Sequence, residues 1–131
     1  MPSEDRTPDD GDELAARVRG LVRTADVRWD QIAGLYFVSD REGWAVGDRG
    51  LIVHTTDGGL TWEHQTSHVA FVLKAVYFVP PKKGWAVGDV GAMVHTVDGG
   101  KTWVHQNPGV TSMLKGIFFL NENEGWVIGW P

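Results

Sequence analysis

The sequence predicts an all-β protein assembled from repeated four-stranded antiparallel sheets. A unit of 41 residues recurs, which places Trp44, Trp85 and Trp126 at equal spacing. Residues 35–65 and 76–106 are identical at 20 of 31 positions, and a third copy follows. Within a copy, short runs rich in valine, aromatic residues and threonine alternate with turns of glycine, aspartate and proline. Four such strands per 41 residues are the content of one β-propeller blade.

The N-terminal part of the chain differs from the repeats. Residues 1–11 hold prolines and acidic residues with no large apolar side chain after Met1, which predicts a disordered acidic tail. Residues 12–31 are expected to form one α-helix, from about 12 to 25, and a connector. The apolar residues of the predicted helix recur on one face, and they are Leu14, Val18, Leu21, Val22 and Ala25. That face would pack on the β-domain or on a second chain.

The repeat also sets the blade boundaries. Ile32, Leu73 and Leu114 occupy the same position before the first strand of each copy. The chain therefore divides into a first blade at 32–72, a second at 73–113 and half a blade at 114–131. The strands predicted for the second copy are Ala75–Val79, Gly84–Gly88, Ala92–Val97 and Thr102–Gln106. This is an incomplete ring of about two and a half blades.

Composition narrows the class of partner and the chemistry. The net charge of −5 disfavours a nucleic-acid groove or binding to an anionic membrane surface. The chain has no cysteine, so disulfides and thiolate chemistry are excluded. No apolar run is long enough to insert into a membrane, and the acidic N-terminus does not resemble a signal peptide. We expect a cytoplasmic protein or a piece that lacks its export signal, with no cofactor.

An eight-residue motif lies between the third and fourth strands of each full copy. Residues 55–62 and 96–103 both match Ser/Thr-x-Asp-x-Gly-x-Thr-Trp, the Asp-box pattern. Its glycines can adopt positive φ, and its aspartate can accept hydrogen bonds from turn amides, so we expect a structural role. Each turn offers one carboxylate, too few for a calcium site, and no metal site is predicted. The residues assigned to this structural role are Thr55, Asp57, Gly59, Thr61, Trp62, Thr96, Asp98, Gly100, Thr102 and Trp103.

The Asp-box lies downstream of a second recurrent motif, Gly-Trp-Ala-Val-Gly-Asp, at 43–48 and 84–89. Together the two motifs resemble the bacterial neuraminidase repeat, as it occurs in the photosystem II stability/assembly factor family. The resemblance covers about 32–131. It implies closed β-propellers that act as non-enzymatic assembly factors and bind partner proteins.

Strand direction predicts where a ligand would bind. In a four-stranded meander the second turn and the inter-blade linkers share the side opposite the Asp-boxes. The linker 66–73 is apolar for a loop, so we expect a peptide or small ligand on this side. The candidate binding residues are Asp48, Arg49, His68, Phe71 and Asp89. No catalytic triad, phosphate loop or zinc motif is visible, so we predict no enzymatic activity and no catalytic residue.

An incomplete ring leaves apolar blade faces and a sheet edge uncovered. The sequence therefore predicts a homo-oligomer, a dimer or trimer that closes a propeller and serves as a scaffold for a protein or peptide partner. Two alternatives remain open. One is a carbohydrate-binding module derived from a glycosidase-type propeller, and the other is an engineered or evolutionary fragment whose only property is assembly.

Overall fold

The structure, a computed structural model, describes residues 29–130. The predicted acidic tail and the predicted helix at 12–25 lie outside the described residues. The described chain forms three antiparallel sheets, each a simple meander of consecutive strands. The predicted all-β blade architecture is confirmed.

The three sheets follow one another along the chain. The first contains β1 (Ile32–Phe37), β2 (Gly43–Gly47), β3 (Leu51–Thr55) and β4 (Glu63–Gln65). The second contains β5 (Leu73–Val79), β6 (Lys83–Gly88), β7 (Met93–Thr96) and β8 (Val104–His105). The third contains β9 (Leu114–Asn121) and β10 (Glu124–Gly129). A short 3-10 turn occurs at Trp29–Gln31, and tight hairpin turns at Asp48–Gly50 and Asp89–Gly91 join β2 to β3 and β6 to β7.

The outer strand of the second sheet is shorter than the sequence predicts. The prediction placed it at 102–106, whereas β8 has two residues. The reason is that Thr102 hydrogen-bonds within the turn and Trp103 packs into the core, so neither joins the β-ladder.

Aromatic stacking joins each sheet to the next. The ring of Trp44 on β2 lies 3.5 Å from that of Phe78 on β5, with an interplanar angle of 11°. Trp85 on β6 stacks in the same way on Phe119 of β9, at 3.7 Å and 10°. Trp44 and Phe78 are fully buried. Large buried rings contribute much of the apolar area of a small core, so these stacks anchor the blade interfaces.

A glycine opposite each of these phenylalanines makes the stack possible. Gly84 pairs with Phe78 across β5 and β6. A Cβ at Gly84 would lie 2.4 Å from the Phe78 ring, closer than any real contact. The ring therefore lies flat over the glycine backbone, where the preceding tryptophan covers it. The same clash arises at Gly43 with Phe37 and at Gly125 with Phe119.

The far side of the third sheet is open among the described residues. Its apolar side chains are between 49% and 61% exposed, and they are Phe118, Leu120, Trp126, Ile128 and Trp130. Trp126 sits opposite Phe118, just as Trp85 sits opposite Tyr77, yet Trp85 is only 4% exposed. This sheet therefore presents the kind of face that the first two sheets bury. Within 29–130, no helix has the length and apolarity needed to span a membrane.

Phe78→Ala is expected to lower the free energy of unfolding by about 3–5 kcal/mol, because it empties the centre of the first blade interface. Phe71→Ala is the matched control, since Phe71 is 50% exposed and should cost less than about 1 kcal/mol. Urea denaturation followed by tryptophan fluorescence measures both. Equal losses for the two variants would contradict the role given to the stack.

Candidate functional site: a trough on the linker rim

The turns of the blades are sorted onto two opposite rims. On the Asp-box rim, Gly58 N donates to Arg41 O at 2.8 Å and Gly99 N donates to Lys82 O at 3.0 Å. These bonds join the first and third turns of each full blade. On the other side, Asp89 N donates to Val72 O at 3.0 Å, which joins a second turn to an inter-blade linker. We call this side, with turns 48–50 and 89–91 and linkers 66–72 and 106–113, the linker rim.

Each Asp-box is a closed hydrogen-bond network. In the second blade, Thr96 Oγ1 donates to Asp98 Oδ1 at 2.7 Å and accepts from Gly100 N at 2.9 Å. Thr102 donates to the same carboxylate twice, from its amide at 2.9 Å and its hydroxyl at 2.7 Å. The first blade repeats the pattern with Asp57 as the acceptor. These carboxylates are thus occupied by the turn that contains them.

The hydrogen bonds hold both carboxylates in the charged form. For Asp98, the side chain and then the backbone of Thr102 lower the pKa to about 2. For Asp57, burial acts in the opposite direction, but the bonds from Thr61 and Thr55 outweigh it and lower the pKa to about 2. A hydrogen bond to a carboxylate stabilises its ionised state and so stabilises the folded turn at neutral pH.

The hairpin turns of the linker rim have an unusual backbone. Arg49 and Gly50 have φ values of 54° and 75°, and Val90 and Gly91 have 60° and 67°. Two successive residues with positive φ define a type I′ hairpin turn, which normally carries Asn-Gly or Asp-Gly. A left-handed conformation costs an ordinary residue about 1–2 kcal/mol, and a β-branched side chain such as valine is a genuine outlier there.

Close packing against the linker fixes this turn. Ser67 is buried, and its hydroxyl donates to Gly50 O at 2.7 Å and accepts from Val69 N at 3.1 Å. A Cβ at Gly50 would lie 1.9 Å from Val69 O, and one at Gly91 would lie 2.2 Å from Val110 O. Only glycine fits between turn and linker, so the residue before it is held at the surface of the rim.

Two adjacent grooves open on the linker rim, and together we call them the trough. The first groove, of about 620 Å³, is lined by Asp48, Arg49, His64 and the linker from Gln65 to Ala70. The second, of about 590 Å³, is lined by the linker from His68 to Phe71, the turn at Val90, and 105–111. His68, Val69 and Ala70 belong to both grooves and form their common wall.

The two grooves have polar and apolar lining in similar proportion but expose different side chains. The first carries the exposed guanidinium of Arg49, for which the described residues provide no hydrogen bond or ion pair. The second is flanked by exposed apolar side chains. Phe71, Val90 and Val110 are 48% to 54% exposed around it. Exposed apolar side chains grouped around a concave surface are typical of a binding site.

The structure distributes the predicted binding residues over this rim. Asp48, Arg49 and His68 line the first groove, and His68 and Phe71 line the second. Asp89 lines neither, because its carboxylate turns towards Lys74 Nζ at 3.8 Å. The sequence patterns did not single out Val90 as a binding residue. It could have been found from its place in the repeat, which is the same as that of Arg49.

No cluster of three potential metal ligands occurs in the described part of the chain. His54 and His95 occupy the same position of the repeat. His54 Nε2 lies 2.8 Å from Glu42 Oε2, and its ring stacks on Trp44. At the equivalent place in the second blade, His95 has Lys83 instead of a carboxylate, and its buried Nε2 has no hydrogen-bond partner. Burial and then the charge of Lys83 lower the pKa of His95, so its ring is held neutral.

Asp98→Asn is expected to lower the free energy of unfolding by about 1–2 kcal/mol at pH 7, because charge-assisted bonds from Thr102 are weakened. The folded-state pKa of about 2 lies below the ordinary value of 3.8. The carboxylate's contribution is therefore present above pH 4 and lost as the pH falls towards 2. Thermal melts of wild type and variant should converge over that interval. Asp40→Asn, at an exposed turn, is the control and should leave the melting temperature at pH 7 unchanged.

Comparison with known proteins agrees with this architecture. The family model described as photosynthesis system II assembly factor YCF48 matches residues 22–105 and 66–131. A solved structure described as YCF48 bound to D1 peptide is 31% identical, with a TM-score of 0.66 over 76% of this chain. YCF48 from Cyanidioschyzon merolae is 26% identical, with a TM-score of 0.63 over 75% of this chain.

The matches cover most of this chain but only part of the solved structures. The chain spans 34% of the length of each of these two proteins. The comparison with curated proteins gave no match. Since the family model matches overlapping segments that together extend from residue 22 to 131, the chain belongs to the photosystem II assembly factor YCF48 family of repeat β-propellers.

Proposed function

We propose that this chain is a non-catalytic propeller module that binds an extended segment of a partner protein along the linker rim. The observation that carries the proposal is the trough, in which two adjacent grooves both border the linker residues 68–70 and so lie side by side along the rim. An elongated surface of this kind suits a peptide better than a compact small molecule. The similar YCF48 structure that holds a D1 peptide supports the choice of a peptide ligand.

The non-catalytic assignment rests on what the repeated polar groups already do. Asp57 and Asp98 each accept bonds from the threonines of their own turn. They lie on the rim opposite the trough, so they are not available to act on a ligand bound there. The groups that do reach the trough, such as Arg49 and His68, are exposed rather than held by neighbours as general acid–base catalysis requires.

A carbohydrate-binding module is the alternative class. Its support is the apolar and aromatic wall around Phe71, on which a sugar ring could stack. Polar side chains of the trough would then bind hydroxyl groups. Testing the chain against peptides and glycans in parallel separates these two classes of function.

We further propose that the chain self-associates through the far side of the third sheet. Phe118, Trp126 and Ile128 present there about half of their surface or more. Trp44 and Trp85 occupy the position of Trp126 in the first two sheets. Each of them is covered by a phenylalanine of the next sheet. A face built to receive another blade is a natural contact between copies. If the trough binds no ligand, self-association is the only property of the chain.

Selection from a phage-displayed library of random 12-residue peptides, with a glycan array in parallel, tests the trough. We expect enriched peptides that bind saturably to wild type and at least about tenfold more weakly to the double variant Arg49→Glu/Phe71→Glu, which puts charge into both grooves. The matched control is Val97→Glu/Lys101→Glu on the Asp-box rim, which should bind as wild type does. Failure to enrich any peptide would refute peptide binding. Saturable glycan binding lost in the trough variant would support the sugar module instead.

Solution mass measured across a concentration series tests self-association. Wild type is expected to exceed the monomer mass of 14.5 kDa at high micromolar concentration. The double variant Trp126→Ser/Ile128→Ser should remain monomeric, because it removes the apolar contact area. Leu60→Ser, at an exposed leucine of the Asp-box rim, is the control and should assemble as wild type does. A wild-type chain that stays monomeric at high micromolar concentration would contradict the proposal.

A further inference from the structure

Val90 is the residue of the trough whose presence the fold explains least. It is a valine with φ of 60° and ψ of 33°, in the left-handed region that β-branched residues avoid. It is also 54% exposed, so it gains little from burial. The turn requires glycine at position 91, but at position 90 it requires only a residue that tolerates positive φ. Asparagine meets that requirement with less strain than valine.

A side chain that is both strained and exposed is costly for the free chain. Strain of this kind persists where the surrounding structure holds it in place, and it is concentrated at binding sites. Here the surroundings do hold it, since Gly91 N donates to Ser112 O at 2.7 Å and Ala92 N donates to Asp89 O at 3.0 Å. The cost is recovered if a ligand covers the isopropyl group.

The neighbours of Val90 indicate what such a ligand offers. Phe71 on one linker and Val110 on the next are exposed to a similar extent, and all three line the second groove. Together they form an apolar seat for one side chain of a ligand. The groove floor includes Met93, which is 7% exposed and adaptable in shape.

The equivalent residue of the first blade has the opposite chemistry. Arg49 has φ of 54°, on the same turn and at the same repeat position as Val90. Its guanidinium has no partner among the described residues, and it lies in the groove that shares a wall with the second. The nearest carboxylate in sequence, Asp48, makes no ion pair with it. A cation without a partner at a binding surface favours an anionic group on the ligand.

We propose that the two equivalent turn residues recognise different side chains of one extended peptide. Val90, with Phe71 and Val110, receives an apolar side chain. Arg49 pairs with an acidic side chain of the same segment. This inference rests on the proposed peptide binding and names the class of peptide. Both grooves border residues 68–70, so one extended peptide that crosses these residues reaches both grooves. The repeat thus places two different recognition residues on one backbone framework.

The test uses the peptides enriched from the 12-residue library, measured by fluorescence anisotropy against single variants. The enriched sequences should contain both an apolar and an acidic residue. Val90→Thr keeps the β-branch and the backbone strain but replaces a methyl group by a hydroxyl, and should weaken binding about tenfold with little change in melting temperature. Val90→Asn should weaken binding as much while raising the melting temperature, because it relieves the strain. Arg49→Gln should weaken binding and flatten its dependence on salt concentration.

Val97→Asn is the matched control, an exposed valine outside the left-handed positions and on the other rim. It should bind the peptides as wild type does and should not gain stability. Enriched peptides that bind the Val90 and Arg49 variants as tightly as wild type would overturn this inference and leave peptide binding intact. Enriched peptides without an acidic or an apolar residue would also overturn it. A library that yields no peptide would overturn the proposed function and this inference together.

Discussion

The aromatic stack between neighbouring sheets is the constraint on which the rest of the structure depends. A tryptophan on the second strand of one blade must meet a phenylalanine on the first strand of the next, and a glycine must sit opposite that phenylalanine. In the first interface these residues are Trp44, Phe78 and Gly84. The three positions lie on three different strands, so they coincide only if the strands keep one register. This explains why the repeat length is held at 41 residues while turns and surface residues vary.

The Asp-box strengthens the same interface from the side. Within its turn it fixes the approach from the third strand to the fourth, and it also leaves a carbonyl directed at the preceding blade. Gly99 O accepts from Trp44 Nε1 and from Gln65 Nε2, both at 3.2 Å. Gln65 Oε1 in turn accepts from Trp103 Nε1 at 3.1 Å. The most recognisable motif of the sequence is therefore part of the inter-blade contact, which is consistent with recognition taking place on the opposite rim.

Much of this architecture could be predicted from the sequence because the repeat multiplies weak signals. Strand order and the separation of the two rims both follow from equivalent positions in adjacent copies. The short length of the outer strand β8 could not be predicted, because it depends on how many Asp-box residues belong to the turn rather than to the strand. The missing partner of His95 could not be predicted either. The sequence shows Lys83 where Glu42 stands in the first blade, but only the structure shows that Lys83 pairs with Glu122 of the third sheet.

At the candidate site, too, the backbone conformation could not be predicted from the sequence. The alignment places Arg49 and Val90 at one position, but their shared left-handed backbone arises from contacts made by the glycine that follows each of them. Gly50 and Gly91 are pressed against the carbonyls of Val69 and Val110, and this leaves the preceding residue no choice of backbone. The scaffold therefore imposes the conformation and leaves the side chain free. A repeat protein can vary its recognition chemistry at such a position, blade by blade, without altering the packing that holds the position in place.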